Sequence, residues 1–339
     1  MQVEVFMRTS AFEELALEWG TLLAESASDT PFLTPSFQRT WWEVFGEKGR
    51  LYLVAVRALE GKLVGLAPLY RVQREGGPDV LRLVGAVEVA DYLDIVASQG
   101  MEEAVYHAVL AHLVGNEAPP WQALELHNVP ADSPSRQYLS GVAARLRLSV
   151  AEQVKEVCPL IALPPSWEEY LATLSRKERH ETRRKIRRIG REAQVEWYSV
   201  LGGEELEQAI EDFIALHQAS TVEKDAFMDR RMQSFFRSLG QAFASRGWLR
   251  LEFLEVNGER VASLFNFDYG GRIMVYNSGY DPERYARFSP GIVLLAYSIR
   301  EAISLGRENF DFLRGGEGYK YRLGGKDREI YQLTITRRD

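Results

Sequence analysis

Three stretches of this 339-residue chain combine residue types that can do chemistry. The first is Arg287-Phe288-Ser289-Pro290-Gly291. Serine followed by proline is a helix start, because proline's fixed φ suits the first helical position and its missing N–H is no loss there. Gly291 lets a ligand approach the backbone, and the helix's first N–H groups and dipole, with Arg287 just ahead, suit an anion. A plain helix cap is the alternative. The second stretch is Tyr276-Asn-Ser-Gly-Tyr-Asp-Pro, where Ser278 and Gly279 fit a bulged strand end. Tyr276 and Tyr280 bring phenols, whose usual fate is packing with one satisfied hydroxyl. The third is Phe310-Asp-Phe-Leu-Arg-Gly-Gly-Glu-Gly-Tyr-Lys. Asp311 alternates away from the aromatics on either side of it. Arg314, Glu317 and Lys320 follow among glycines, as in a loop that lines a cleft. Glu317 can act as a general base, directly or through water. A solvated loop with a local ion pair is the bland reading.

Two further positions carry candidate groups. His217 on a helix can be a base or a substrate ligand, or a hydrogen-bonded structural residue. Asp91 and Asp94, in Asp-Tyr-Leu-Asp, can reach a cleft between two halves of the chain and hold an acceptor amine, or form a strand-end charged pair. No His/Cys cluster has metal-ligand spacing, so no metal is expected.

The elements that must position these groups follow from hydrophobic periodicity and turn residues. In the first half, helices are predicted over 11–26, from 35, over 101–114 and over 133–146. Strands are predicted over 51–57, 63–72, 80–85, 92–97 and 123–127. In the second half, Ser166 caps a helix with Glu169 as its capping-box partner, and that helix is predicted to run to about Gly190. Helices over 204–219 and 229–246 follow. Strands over 249–256 and 260–268 are joined by Asn257-Gly258, a type I′ hairpin signal. A strand over 272–280, a helix over 292–305 and strands over 309–313 and 329–336 complete the chain. The halves echo each other: Gly61 and Val64 match Gly258 and Val261 at one constant offset, and each half reads as helices, a three-strand meander, then helix and strand.

Length beyond one ordinary core predicts two domains, 1–156 and 157–339. The net charge is −7, yet residues 176–191 hold nine basic against two acidic residues, a local +7 that leaves −14 on the remainder. So concentrated a basic block predicts an anionic partner: a nucleotide-linked precursor, a membrane surface or tRNA, with a solvated helix face as the alternative. The lone cysteine, Cys158, lies in an apolar run and reads as a small core residue. With no secretory pattern at the start and no apolar run of roughly 20 residues, the expected location is cytoplasmic.

From residue 248 to 320 the sequence resembles the FemAB-like branch of the GNAT acyltransferases, the group that includes CelD-type proteins linked to polysaccharide synthesis. Gly258-Glu-Arg-Val-Ala, Tyr276-Asn-Ser-Gly-Tyr-Asp-Pro, Ser289-Pro-Gly, Phe310-Asp-Phe-Leu-Arg-Gly and Tyr319-Lys320 carry the resemblance. It extends more weakly into the first half through Pro31-Phe-Leu-Thr, Trp41-Trp42 and Asp91-Tyr-Leu-Asp. It implies an α/β fold of tandem GNAT-like domains, each a mixed, mainly antiparallel twisted sheet flanked by helices, with the C-terminal one catalytic. The implied activity moves an acyl group, from acyl-CoA as co-substrate, to an amine or hydroxyl of an envelope or polysaccharide precursor or a small molecule. A Fem-like aminoacyl-tRNA-dependent transferase and a non-catalytic module for an anionic precursor are the alternatives.

Residue by residue, the resemblance implies the following. Arg287, Ser289 and Gly291 stand where the family's loop holds the CoA pyrophosphate. The 276–280 strand would splay from its neighbour and leave backbone N–H groups to polarise the acyl carbonyl, with Tyr276 or Tyr280 protonating the leaving group. Lys320 matches a lysine near the donor, and Glu317 would be the base. His217, Asp91, Asp94, Asp311 and Arg314 would contact substrate.

Overall fold

Asn257 and Gly258 both take positive φ, 54° and 82°, which is the backbone a two-residue type I′ turn demands. The turn sets β10 (Leu249–Val256) against β11 (Glu259–Tyr269) in antiparallel register. Gly270 and Gly271, also at positive φ, return the chain into β12 (Arg272–Tyr280). This meander is the centre of the second of two units. The computed structural model describes residues 1–74, 76–86 and 89–338.

The first unit comprises residues 1–156 and 328–339. Its elements are β1 (Gln2–Phe6), α1 (Ala11–Glu14), α2 (Ala16–Ala24), α3 (Pro35–Phe45), β2 (Gly49–Arg57), β3 (Leu63–Arg74), β4 (Gly77–Leu83), β5 (Val96–Ala97), α4 (Glu102–Val114), β6 (Trp121–Pro130), α5 (Pro134–Arg145) and β7 (Leu148–Val157). The second unit, residues 157–327, adds β8 (Leu160–Ala162), α6 (Trp167–Thr173), α7 (Arg176–Glu192), β9 (Val195–Val200), α8 (Leu206–Ser220), α9 (Val222–Phe227), α10 (Arg230–Ala244), the β10–β12 meander, α11 (Pro290–Ser304), β13 (Asn309–Asp311) and α12 (Gly318–Arg322). The chain ends in β14 (Glu329–Arg337).

Both sheets share one plan. In the first, β2, β3 and β4 form an antiparallel meander and β4 then pairs in parallel with β6. In the second, the β10–β12 meander is antiparallel and β12 pairs in parallel with β13. A parallel neighbour needs a crossover, and a helix supplies it each time, α4 and α11 respectively. The full orders are β1-β2-β3-β4-β6-β14-β7, with β5 on β3, and β8-β13-β12-β11-β10-β9.

Three sequence expectations change. The closing strand, assigned on sequence to the second unit, belongs to the first, where β14 pairs antiparallel with β6. Alternation in a strand shows that it has a buried face but not which sheet supplies it. The single helix expected from Ser166 to Gly190 is two helices. Leu174 is extended at ψ 151°, and Ser175 starts α7 as its own N-cap, accepting from the Glu178 N–H at 3.2 Å. The strand expected over 92–97 pairs only at Val96–Ala97, because the segment before it is held by side chains around Asp94. No helix among the described residues is long and apolar enough to cross a membrane.

The second unit packs two cores. Under α6, α7 and α11 lie Ile189, Leu264, Val275, Val293, Ile299 and Phe310. On the other face, α8 and α10 bring Phe213 and Phe236 onto Phe265, each pair with ring centroids 5.2 Å apart. A polar cluster interrupts the sheet: Glu252 and Asn266 are both buried, and Glu252 Oε2 and Asn266 Oδ1 find no donor among the described residues.

Burial raises the Glu252 pKa, with the Arg250 charge opposing. A carboxyl whose folded pKa lies above its unfolded value stabilises the fold below the unfolded value and loses that contribution as pH rises through the folded one. Glu252→Gln keeps a donor in place at every pH. It is therefore expected to match the wild type in acid and to exceed it by about 1 kcal/mol at pH 8. Urea melts at pH 4.5 and 8 measure this, and equal stabilities at both pH values would show that Glu252 is ionised without penalty.

Candidate active site

The parallel pairing of β12 with β13 is short. Arg272–Met274 face Asn309–Asp311, and there β13 ends while β12 runs on to Tyr280. From Val275 onward β12 has β11 on one side and an open edge on the other. A bulge falls just past the split: Val275 pairs with Asn266 and Asn277 with Phe265, leaving Tyr276 as the extra residue. It turns Tyr276 into the aromatic core, stacked on Phe267 at 4.6 Å. Tyr280 packs on the opposite, α11 side. The structure thus separates the two candidate tyrosines, and Tyr280 is the one that lines a cavity.

That cavity, about 400 Å³, lies between Ser278 and Tyr280 of β12, Gly291 and Leu295 of α11, and Tyr319 and Arg322 of α12. A second hollow of about 390 Å³ shares Ser289, Ile292, Tyr319 and Arg322 with it and is closed by Lys177, Thr182 and Lys185 of α7. The two adjoin at the start of α11. There Ser289 sits in the left-handed region, φ 54° and ψ 58°, and its side chain does not cap its own helix. Its Oγ accepts instead from Lys185 Nζ at 2.7 Å. Pro290 has no N–H, and among the described residues the Gly291 N–H has no backbone acceptor. An open helix start beside a half-buried ammonium is suited to phosphate. Burial lowers the Lys185 pKa. Arg287, by contrast, is exposed with its guanidinium 4.6 Å from the Phe288 ring centre, and it lines neither hollow. The cations at the helix start are Lys185 and Arg322. Lys185 was not singled out from sequence because it lies 104 residues from Ser289.

The glycine-rich loop after β13 is built around Lys320. Asp311 is buried, and its Oδ1 accepts from the Leu313 N–H at 2.8 Å, which steadies Leu313 at φ 55°. Lys320 is buried, and its ammonium donates to the carbonyls of Leu313 (3.1 Å), Arg314 (2.6 Å) and Gly315 (3.0 Å) and meets Glu317 Oε2 at 2.9 Å. Four acceptors for three N–H groups leave none for a substrate. Lys320 is a positioning residue, and the group it positions is Glu317, whose side chain remains 56% exposed. Gly315 is required by its φ of 107°; a Cβ there would also lie 2.5 Å from Glu317 Oε2, a side-chain tip that would have to move aside. Arg314 is half-buried in the same loop.

The open edge of β12 differs from the expectation of free donors. The Asp281 N–H bonds to Val261 on β11, so by alternation Ser278 and Tyr280 turn their backbone groups outward. The Tyr280 N–H is taken by Ser220 Oγ at 2.9 Å and the Ser278 N–H by Asn277 Oδ1 at 2.9 Å. Lys224 of α9 donates to the Ser278 carbonyl and, at 3.3 Å, to its hydroxyl. Burial pulls the Lys224 pKa down to about 8, with the Glu317 charge opposing. His217 is buried between the rings of Phe213 (5.9 Å) and Phe227 (5.8 Å) with Nδ1 unbonded. Burial, then the Lys224 charge, lower its pKa to about 4, so the ring is neutral at pH 7. It fits the structural reading.

Asp91 and Asp94 are both buried in the first unit. The Asp94 carboxylate accepts from Ser28 Oγ at 2.8 Å, Ser133 Oγ at 2.5 Å, Ser135 Oγ and the Ile95 N–H at 2.8 Å. It is saturated by its own unit, and burial raises its pKa. On α7, Arg183 pairs with Glu168, Arg184 with Glu181 and Arg188 with Glu192, while Arg176, Lys177, Arg179, Arg187 and Arg191 form no ion pair among the described residues. Among the described residues no group of three or more His, Cys, Asp or Glu is arranged to hold a metal.

Residues 176–321 match the family model described as an acetyltransferase (GNAT) domain. The second unit is a GNAT domain. It is of acyltransferase type, and the chain as a whole has a tandem GNAT fold, similar to that of FemX. The crystal structure of FemX superposes with a TM-score of 0.69 over 98% of this chain and 97% of that one, at 12% identity. The L-PGS of Bacillus licheniformis does so at 0.54 over 95% and 92%, at 10% identity. A tandem GNAT protein from the clavulanic acid biosynthesis pathway does so at 0.50 over 98% of each chain, at 12% identity. At these identities the likeness is one of fold. No curated protein matches by sequence. The split between β12 and β13 is the GNAT feature the sequence led us to expect, and in this GNAT domain its edge is lined by Lys224 and Ser220.

Proposed function

We propose that the GNAT domain moves an acyl group from acyl-CoA to an amine or hydroxyl, the acceptor being an envelope or polysaccharide precursor or a small molecule. The observation that carries this reading is the cavity that runs from the β12–β13 split to the open start of α11. A thioester in the split would place its acyl carbon near Ser278–Tyr280. The donor's phosphates would meet the Gly291 N–H, Lys185 and Arg322. Glu317, held out into solvent by Lys320, takes the acceptor's proton. Tyr280, or Tyr319 with its phenol kept protonated by burial of the Tyr319 ring, hydrogen-bonds the leaving thiolate.

Calorimetry with acetyl-CoA and a longer acyl-CoA tests the donor. Micromolar binding is expected. Lys185→Ala should weaken it about tenfold or more, the worth of one charge-assisted contact. Arg287→Ala should leave it within about twofold, since that side chain faces away. No binding of either thioester to the wild type would remove acyl-CoA as donor.

The unpaired cations of α7, continuous with Lys177 and Lys185 at the same hollow, support a second reading, a Fem-like aminoacyl-tRNA donor lying along that helix. The same face would suit the phosphates of a nucleotide-linked precursor or an anionic membrane surface. A donor-independent, non-catalytic module would bind such a precursor but show no turnover for Glu317→Gln to abolish.

A further inference from the structure

We propose that Lys224 is a catalytic residue of this transferase, its ammonium carrying the negative charge that forms on the acyl oxygen. The inference rests on the acyl-transfer reading above. Attack on a thioester or ester creates an oxyanion, and a pre-placed donor at that oxygen is commonly the largest single contribution to the rate. A splayed strand can offer its own N–H groups, but here both outward-facing ones are engaged, Tyr280's by Ser220 and Ser278's by Asn277. Lys320 has no N–H to spare, and Lys185 is tied to Ser289 at the far end of the cavity.

Lys224 is different. Its two partners are the carbonyl and hydroxyl of Ser278, a residue of the cavity wall. An ammonium has three N–H groups, so it is anchored at the open edge with donor capacity remaining. The charged and titratable groups that act on it are Glu317, from the loop before α12, and His217 of α8, which is neutral. The Glu317 carboxylate is thus near enough for its charge to act on the Lys224 ammonium, a pairing that divides the roles of base and oxyanion donor.

The step runs as follows in atoms. The acceptor nitrogen bonds to the acyl carbon as the carbonyl π pair moves to oxygen, beside Lys224. Glu317 takes one proton from that nitrogen. The oxygen pair then reforms the carbonyl, the C–S bond breaks, and the thiolate leaves with its pair and takes the proton from Glu317. Lys224 keeps its own protons throughout. Because burial has brought its pKa to about 8, turnover should fall as pH passes that value.

The test uses the full chain with acetyl-CoA as donor and hydroxylamine as surrogate acceptor, following thiol release. Lys224→Met should lower kcat about 100-fold or more, with acetyl-CoA affinity by calorimetry within about threefold of wild type. Lys224→Arg, which keeps the charge and cannot titrate, should retain measurable kcat and lose the fall above pH 8. A wild type that turns over while Lys224→Met stays within about threefold of it overturns the role of Lys224 and leaves the acyl-transfer reading standing. A wild type that neither binds nor turns over acetyl-CoA removes that reading and this inference with it. Should Lys224→Met melt early, an unshifted alkaline limb in Lys224→Arg overturns the proposal on its own.

Discussion

Replacing Lys320 by methionine is expected to destabilise the second unit by about 3 kcal/mol, the scale of leaving buried hydrogen-bond acceptors without their donor. The side chain is only 3% exposed, and its ammonium gathers three successive carbonyls and the Glu317 carboxylate. Methionine fills most of the same volume, so the loss is electrostatic rather than a cavity. Three carbonyls would be left without a donor beside a backbone already at positive φ at Leu313 and Gly315. Thermal melts followed by near-UV circular dichroism should show a midpoint lower by roughly 10 °C. Turnover should fall too, because Glu317 would lose its support. The measurement separates two roles for Lys320. A cation that touched substrate would lose kcat on substitution and leave the melt unchanged, whereas a positioning residue moves both.

Gly279→Ala should cost about 2–3 kcal/mol, and Gly279→Val more, which is at the upper end for overpacking. A Cβ at this position would meet the backbone of α8, the Leu216 carbonyl carbon at 2.5 Å and the His217 nitrogen. Backbone cannot rotate aside as a side-chain tip can, so α8 must retreat from β12. Retreat would stretch the Ser220 bonds to Tyr280 and displace α9, which carries Lys224. Stability and kcat should therefore drop together. Gly291→Ala is the control. Its Cβ would stand 3.9 Å from Tyr280 Cδ1, an ordinary contact, and the melt should be unchanged within about 0.5 kcal/mol. Equal effects at the two glycines would mean that the close approach of α8 to β12 is not what holds this edge.

The meander of the second unit was legible because its signals are local. Largely apolar stretches within 249–256 and 272–280, with Asn257-Gly258 and Gly270-Gly271 as turns, favour one arrangement that buries the side chains and meets the φ demands of the turns. The start of α11 and the capping box at Ser166 were local in the same sense, and Ser166 Oγ does accept from the Glu169 N–H at 3.2 Å. The break between α6 and α7 was missed, although Ser175 could have signalled it, because residues of good helical propensity stand on both sides of it.

The site is a different matter. Residue types made Glu317, Lys320, Tyr280 and Ser289 candidates, but their surroundings depend on partners far along the chain: Lys185 for Ser289 across 104 residues, Ser220 for Tyr280 across 60, Lys224 for Ser278 across 54. Asp94 reads as a strand-end acid until three serines from distant segments close around it. Sequence by itself determined most of the elements and the doubled plan, since these follow from periods of two and 3.6 residues and from turns a few residues long, while the chemical class was implied by resemblance to a known family. Only the tertiary structure decided which sheet takes β14, which lysine is buried as a strut and which stands at the open strand edge. Those outcomes depend on desolvation and on hydrogen-bond partners, and a charged side chain has neither until the chain has packed around it.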